Sequence, residues 1–286
     1  MSSVLPDPIP RLLAAAQPLQ TLCGDGHIQW HRWGPADAGP AGPVVLLHGG
    51  SGSWTHWVRN IDALAAAGRQ VLVPDLPGFG DSARPPGGGD ADAVAQALEQ
   101  GFADLLGGQR CDLVGFSFGG LTAGLLAAAH PARAARLVLV GAPAMGVSDS
   151  GAVVLRGWRH LSDPAARAAV HRHNLGVLML HRPEAIDALA LALHAANVGR
   201  DRLQRRRLSR TEALKQALRQ LHCPVRAIYG REDVLYRGRM DALAAAFAQE
   251  PGFRGLALID GAGHWVQYEQ PAVFDAALAA ALTDEE

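Results

Sequence analysis

Short apolar runs closed by glycine, proline or aspartate recur along the chain and alternate with longer stretches rich in alanine and leucine. Residues 19–23 and 27–33 read as strands joined around Gly24-Asp25-Gly26, a hairpin-type turn. Residues 43–47 are continuously apolar, which suits a parallel strand covered on both faces. Residues 70–73, 111–115, 136–140, 224–229 and 255–259 have the same character. Between them, residues 57–67, 91–106, 120–129, 239–248 and 271–282 have helical composition, with Gly68 placed to stop the first. The alternation predicts an α/β protein with a mostly parallel sheet and helices on both faces. From about residue 144 to residue 221 the strand pattern is missing, and Ser162-Asp163-Pro164 and His181-Arg182-Pro183-Glu184 are helix starts. This segment is expected to be an inserted helical cap (residues 144–221) on a core formed by residues 1–143 and 222–286. Prolines at positions 6, 8, 10 and 18 are expected to interrupt any helix in the N-terminal lead.

Within this pattern, Gly115-Phe116-Ser117-Phe118-Gly119-Gly120 joins an apolar strand to a small, apolar helix. Strand, sharp turn and helix with G-x-S-x-G at the turn is the context of a nucleophile elbow. A glycine-rich turn whose serine merely caps the helix is the plain alternative. The sequence His48-Gly49-Gly50-Ser51-Gly52-Ser53-Trp54 follows another strand, where an open α/β sheet places a ligand. His48 reads as a residue that orients this loop, and Asp75, set among glycines and prolines, as one that fixes the next. Asp233 and His264 each follow a later core strand, and parallel strands bring such loops to one sheet edge. Serine, then aspartate, then histidine is the chain order expected of α/β-hydrolases. A serine hydroxyl needs a base to remove its proton, an imidazole can take and return it, and a carboxylate can hold that imidazole. Ser117, Asp233 and His264 are therefore the catalytic candidates, with Glu232 a rival acid. The backbone N–H groups of Gly50 and Phe118 are the expected oxyanion donors.

Composition narrows the partners. Lys+Arg 26 against Asp+Glu 27 leaves a net charge of -1, which favours neither nucleic acid nor an anionic membrane. Hydrophobic residues at 49% and a mean hydropathy of +0.05 suit a globular enzyme. No apolar run reaches the roughly 18 residues of a membrane span, and no secretory signal is visible, so a cytoplasmic location is expected. Cys23, Cys111 and Cys223 form neither a disulfide framework nor a metal pattern and read as buried thiols.

Nearly the whole chain resembles the α/β-hydrolase fold superfamily. Within it, Leu47-His48-Gly49-Gly50, Gly230-Arg231-Glu232-Asp233 and Gly263-His264-Trp265-Val266-Gln267-Tyr268-Glu269 resemble the meta-cleavage-product hydrolases, which cut carbon–carbon bonds in vinylogous diketones. The resemblance implies a helical cap, a small-molecule substrate and no metal or organic cofactor. It also implies a cap arginine near the substrate, in a segment like Leu203-Gln204-Arg205-Arg206. One departure stands beside the nucleophile, where that family has asparagine and this chain has Phe116. Relatives that dehalogenate or open epoxides use an aspartate nucleophile, against which Ser117 argues. Substrate contacts are expected from Gly49, Phe116, Arg206 and Trp265. On a helix, Arg202, Arg206 and Arg210 would share one face, solvated or with Arg206 turned inward to clamp a carboxylate. Three readings follow: a serine hydrolase for small esters or carbon–carbon substrates, a cofactor-free perhydrolase or acyltransferase, and a ligand-binding protein with little turnover. Homo-oligomer formation is left open.

Overall fold

A computed structural model describes residues 6–147, 153–203 and 206–283; Gln204, Arg205 and the acidic tail at 284–286 lie outside the described residues. In chain order the strands and α-helices are α1 Ile9–Ala15, β1 Gln17–Cys23, β2 Gly26–Trp33, β3 Val44–Leu47, α2 Ile61–Ala66, β4 Val71–Pro74, α3 Ala91–Leu106, β5 Cys111–Phe116, α4 Phe118–Ala129 and β6 Ala134–Val140. They continue with α5 Pro164–Asn174, α6 Ala188–Gly199, α7 Ala213–Leu218, β7 Val225–Gly230, α8 Met240–Ala248, β8 Phe253–Ile259, α9 Val266–Glu269 and α10 Pro271–Thr283. The strands form one eight-stranded sheet in the order β1-β2-β4-β3-β5-β6-β7-β8. β1, β2 and β4 pair antiparallel, and every pairing from β4 through β3 to β8 is parallel. This is the α/β-hydrolase fold, with a mostly parallel sheet as the alternation predicted.

The central strands β3, β4 and β5 are buried at every position, which explains their unbroken apolar character. Their two faces feed separate apolar clusters, one around Leu47, Leu113 and Phe247, the other around Val114, Trp57 and Phe274. The chain leaves β3 toward β4 on one side and reaches β5 on the other, so β3 and β5 flank the crevice where open α/β sheets bind ligands.

Three expectations need correction. Residues 9–15 are helical despite the prolines, because Pro10 lies in the first turn, where its missing N–H has no intrahelical partner. Ile9 and Leu12 are buried on the sheet, and Trp33 Nε1–H donates to the Leu12 carbonyl at 2.8 Å. Residues 57–67 are not one helix: a 3₁₀ turn, Trp54–Trp57, capped by Ser53, precedes α2. Among the described residues of the arginine-rich stretch, 200–203 and 206–207 are not helical, so Arg202 and Arg206 are not carried on a described helix as a shared face requires, and Arg210 ends a 3₁₀ turn. Arg202 instead donates to the carbonyls of Phe79, Gly80 and Ser82, which ties it to the 79–82 loop. Among the described residues 144–221 no strand occurs. Leu214 of α7 packs closely on Gly124 of α4, where an added Cβ would lie 2.3 Å from its Cδ1, so α7 is part of the core layer. Among the described residues no helix is long and apolar enough to cross a membrane.

Candidate active site

Ser117 stands between β5 and α4 at φ +51 and ψ -118, a conformation rarely adopted by a residue with a side chain and costing about 1–3 kcal/mol. Its N–H donates to the Val140 carbonyl at 2.7 Å, and its own carbonyl accepts from Gly120 N–H at 2.9 Å, which fixes the turn. The flanking glycines are needed for close approach. A Cβ on Gly115 would lie 2.4 Å from the Gly119 carbonyl, and one on Gly119 would lie 2.4 Å from the His48 carbonyl. The strained turn thus points the hydroxyl out of the sheet edge.

His264, on the loop after β8, has Nε2 2.9 Å from Ser117 Oγ and Nδ1 2.8 Å from Asp233 Oδ2. Asp233, after β7, is fully buried and its other oxygen accepts from Leu235 N–H at 2.9 Å. Asp233, not Glu232, faces the imidazole. A carboxylate on Nδ1 assigns the proton to that nitrogen and leaves Nε2 to accept from the serine hydroxyl. The turn after β6 passes beneath this pair at Gly141 (φ +53), where a Cβ would sit 3.2 Å from His264 Nδ1. Next to it, the hydroxyls of Tyr229 and Tyr236 both donate to the Ala142 carbonyl at 2.7 Å.

The loop after β3 forms the facing wall. His48 is buried and uses both ring nitrogens locally: Nδ1–H donates to the Gly49 carbonyl (2.7 Å) and Nε2 accepts from Leu76 N–H (2.8 Å). Burial pushes its pKa down to about 3 and keeps it neutral. Asp75 is equally local. Its two oxygens accept from Trp54 N–H (2.8 Å) and Asp81 N–H (2.9 Å), and burial raises its pKa to about 6. His56, to which the sequence reading gave no role, accepts the Gly49 N–H on Nδ1 at 3.2 Å. It lies between Phe116 and Trp265, with ring centroids 5.4 and 4.9 Å away. Among the described residues the amides of Gly50 and Phe118 are spent on no protein acceptor. Both residues line the cavity beside Ser117.

That cavity holds about 580 Å³. Ser117, His264, Gly49 and Phe116 line it together with Val153, Leu155, Leu178 and Met179, which come from the segment between β6 and β7. Phe116 tilts against His264 with 5.0 Å between ring centroids, and a Cβ on Gly49 would meet the Phe116 ring at 2.9 Å. Trp265 does not line the cavity. It is 1% exposed, stacks on Tyr268 at 4.2 Å and donates its Nε1–H to the His56 carbonyl. Arg206 turns inward. Its Nη2 lies 3.1 Å from Asp201 Oδ2 and 3.2 Å from Ser51 Oγ; Nη1 is buried without a hydrogen-bond partner, close over Gly50, and the guanidinium lies over the Phe79 and Phe118 rings at 5.7 and 6.0 Å. Arg210, on the 3₁₀ turn Leu208–Arg210, reaches the same cavity.

A family model described as the alpha/beta hydrolase fold matches residues 42–163, and the chain belongs to the α/β-hydrolase family. Among its curated relatives is a 2-hydroxy-6-oxononadienedioate/2-hydroxy-6-oxononatrienedioate hydrolase of Burkholderia vietnamiensis, 30% identical over 81% of this chain and 84% of the relative. A 2-hydroxy-6-oxo-6-phenylhexa-2,4-dienoate hydrolase of Burkholderia cepacia is 29% identical over 84% of this chain and 87% of its own. Of the solved structures, a carboxylesterase from Bacillus subtilis has the same fold, with a TM-score of 0.72 and 20% identity over 97% of this chain and 96% of its own.

Proposed function

We propose that the protein is a serine hydrolase in which Ser117 is the nucleophile, His264 the general base and acid, and Asp233 the orienting carboxylate. The observation that carries this is the unbroken relay from Asp233 Oδ2 through both nitrogens of His264 to the hydroxyl of a serine held at φ +51. In this reading His264 Nε2 takes the hydroxyl proton as Oγ attacks the substrate carbonyl. The oxyanion is received by the N–H groups of Gly50 and Phe118, donors of a kind that contribute about 3–4 kcal/mol. The imidazolium, stabilised by Asp233, then returns its proton to the leaving group, and water repeats the cycle on the acyl-enzyme. Residues 144 to about 212 are the proposed cap over this site. The substrate is a small molecule, and the three free, buried cysteines suit a cytoplasmic enzyme. Ser117→Ala is expected to fold normally, since alanine meets the same turn, and to lose labelling by a fluorophosphonate together with nearly all turnover of an activated ester. Retained turnover would end this reading.

For the bond cleaved, a carbon–carbon bond of a vinylogous diketone bearing a carboxylate is favoured by one specific feature, the guanidinium of Arg206 at the cavity wall, whose Nη1 has no hydrogen-bond partner. The relatives acting on hexa- and nonadienoates support the same substrate class. Small apolar esters are the second reading, favoured by Phe116 and the apolar cap wall. A guanidinium contact to an anion is worth roughly 1.5–3 kcal/mol. Arg206→Ala is therefore expected to lower kcat/KM for a carboxylated dienol substrate about 10- to 100-fold and to leave a neutral ester nearly unchanged. Equal small losses would put the esterase reading first.

A further inference from the structure

The side chain of Glu269 folds back from α9 into the base of the site and is fully buried. Oε2 accepts the N–H of Gly263 (2.7 Å), the residue before His264, and the N–H of His181 (3.0 Å). Oε1 accepts the N–H of Arg182 at 2.6 Å, and Arg182 Nη2 donates to the Glu269 carbonyl at 2.7 Å. In parallel, Trp265 N–H donates to the Met179 carbonyl at 2.7 Å. Gly263 lies so close under this segment that a Cβ there would be 2.8 Å from His181 N. One carboxylate therefore joins two stretches far apart in sequence: the loop that carries His264, and residues 179–182, which run on directly from the cavity wall at Leu178 and Met179. A buried carboxylate taking N–H groups from both sides fixes their mutual position, because each lost acceptor leaves an unsatisfied buried amide.

We infer that Glu269 is a positioning residue that locks the His264 loop to the cap-side wall of the cavity, so that the base and the surface it works against move as one body. The catalytic consequence rests on the serine-hydrolase reading above; the lock itself does not. The full-length chain carrying Glu269→Gln, which keeps the shape and removes an acceptor, is compared with wild type in two measurements. In amide hydrogen exchange, peptides covering residues 177–183 and 262–266 are expected to gain exchange together while β5 and α4 stay protected. Exchange rising in only one of the two, or in neither, overturns the lock whatever the enzyme catalyses. In ester kinetics, kcat is expected to fall about 10- to 100-fold with KM within about twofold, since the acyl pocket remains and the base is displaced. Arg182→Ala keeps the backbone N–H but removes the guanidinium whose Nε lies 3.7 Å from Glu269 Oε1, and is expected to lower kcat less than Glu269→Gln does. Unchanged kcat in Glu269→Gln, or an equal loss in Arg182→Ala, overturns the positioning role. Glu269→Asp, charged but one methylene shorter, serves if the glutamine variant does not fold; failure of both to fold reduces the residue to a purely structural one. Absence of turnover and of Ser117 labelling in wild type counts against the hydrolase reading alone.

Discussion

Asp233 and Glu232 are neighbours of the same chemistry, and burial separates their roles. Asp233 is fully buried with an oxygen 2.8 Å from His264 Nδ1, whereas Glu232 is partly exposed and has no bond to the imidazole. Asp233→Asn is expected to cut kcat by about 10³- to 10⁴-fold, because an amide can no longer hold the working tautomer or stabilise the imidazolium. Glu232→Gln is expected to stay within a few-fold. The reverse ranking in steady-state kinetics would move the acid one residue back. At this scale the convergence of Ser117, Asp233 and His264 was legible, since each follows a core strand and parallel strands end on one edge. His56, Gly141 and the clamp of Glu269 were not, because their partners lie at Gly49, His264 and His181, contacts that no local pattern announces. Trp265 was expected to contact the substrate. In the fold its indole lies behind the site, with its N–H on the His56 carbonyl.

At the scale of elements, continuous apolar runs identified β3 to β7 because the sheet is covered there on both faces, and such strands need no alternation to announce themselves. The helix α3 was readable to its ends, since Asp90 caps it by accepting from Ala91 N–H and Gly107 (φ +57) closes it. The pattern failed where side chains compete with propensity. The arginine-rich segment from 200 to 207 has helical composition, yet Arg202 binds three carbonyls of the 79–82 loop, and Arg206 pairs with Asp201 and Ser51. Tertiary hydrogen bonds to those guanidinium groups outweigh a helix preference of a few tenths of a kcal/mol per residue. The same competition makes Arg206 available to the cavity, which a regular helix there would not require.

At the scale of the whole molecule, the fold holds a set of buried histidines whose titration is expected to contribute to the pH dependence of stability. Burial lowers the pKa of His31 and of His194 to about 4, that of His48 to about 3, and that of His56 well below its ordinary value. A group whose pKa is depressed in the fold contributes stability above its unfolded value of about 6.5 and loses it as the pH falls toward the folded value. Two buried carboxyls act in the opposite sense. Burial raises Asp75 and Asp275 to about 6, so their contribution is present below their ordinary 3.8 and lost as the pH rises through about 6. Near pH 5 the buried histidines bind protons on unfolding, while the two aspartic acids release theirs, and the more numerous histidines leave a net proton uptake. Resistance to urea is therefore expected to decline steadily from pH 6.5 to pH 4.5, with the histidines prevailing over the carboxyls. The measurement is the urea midpoint and slope by circular dichroism across that range, with the proton uptake taken from the pH dependence of the unfolding free energy. A midpoint that stays level or rises on acidification would mean that these histidines are charged within the fold.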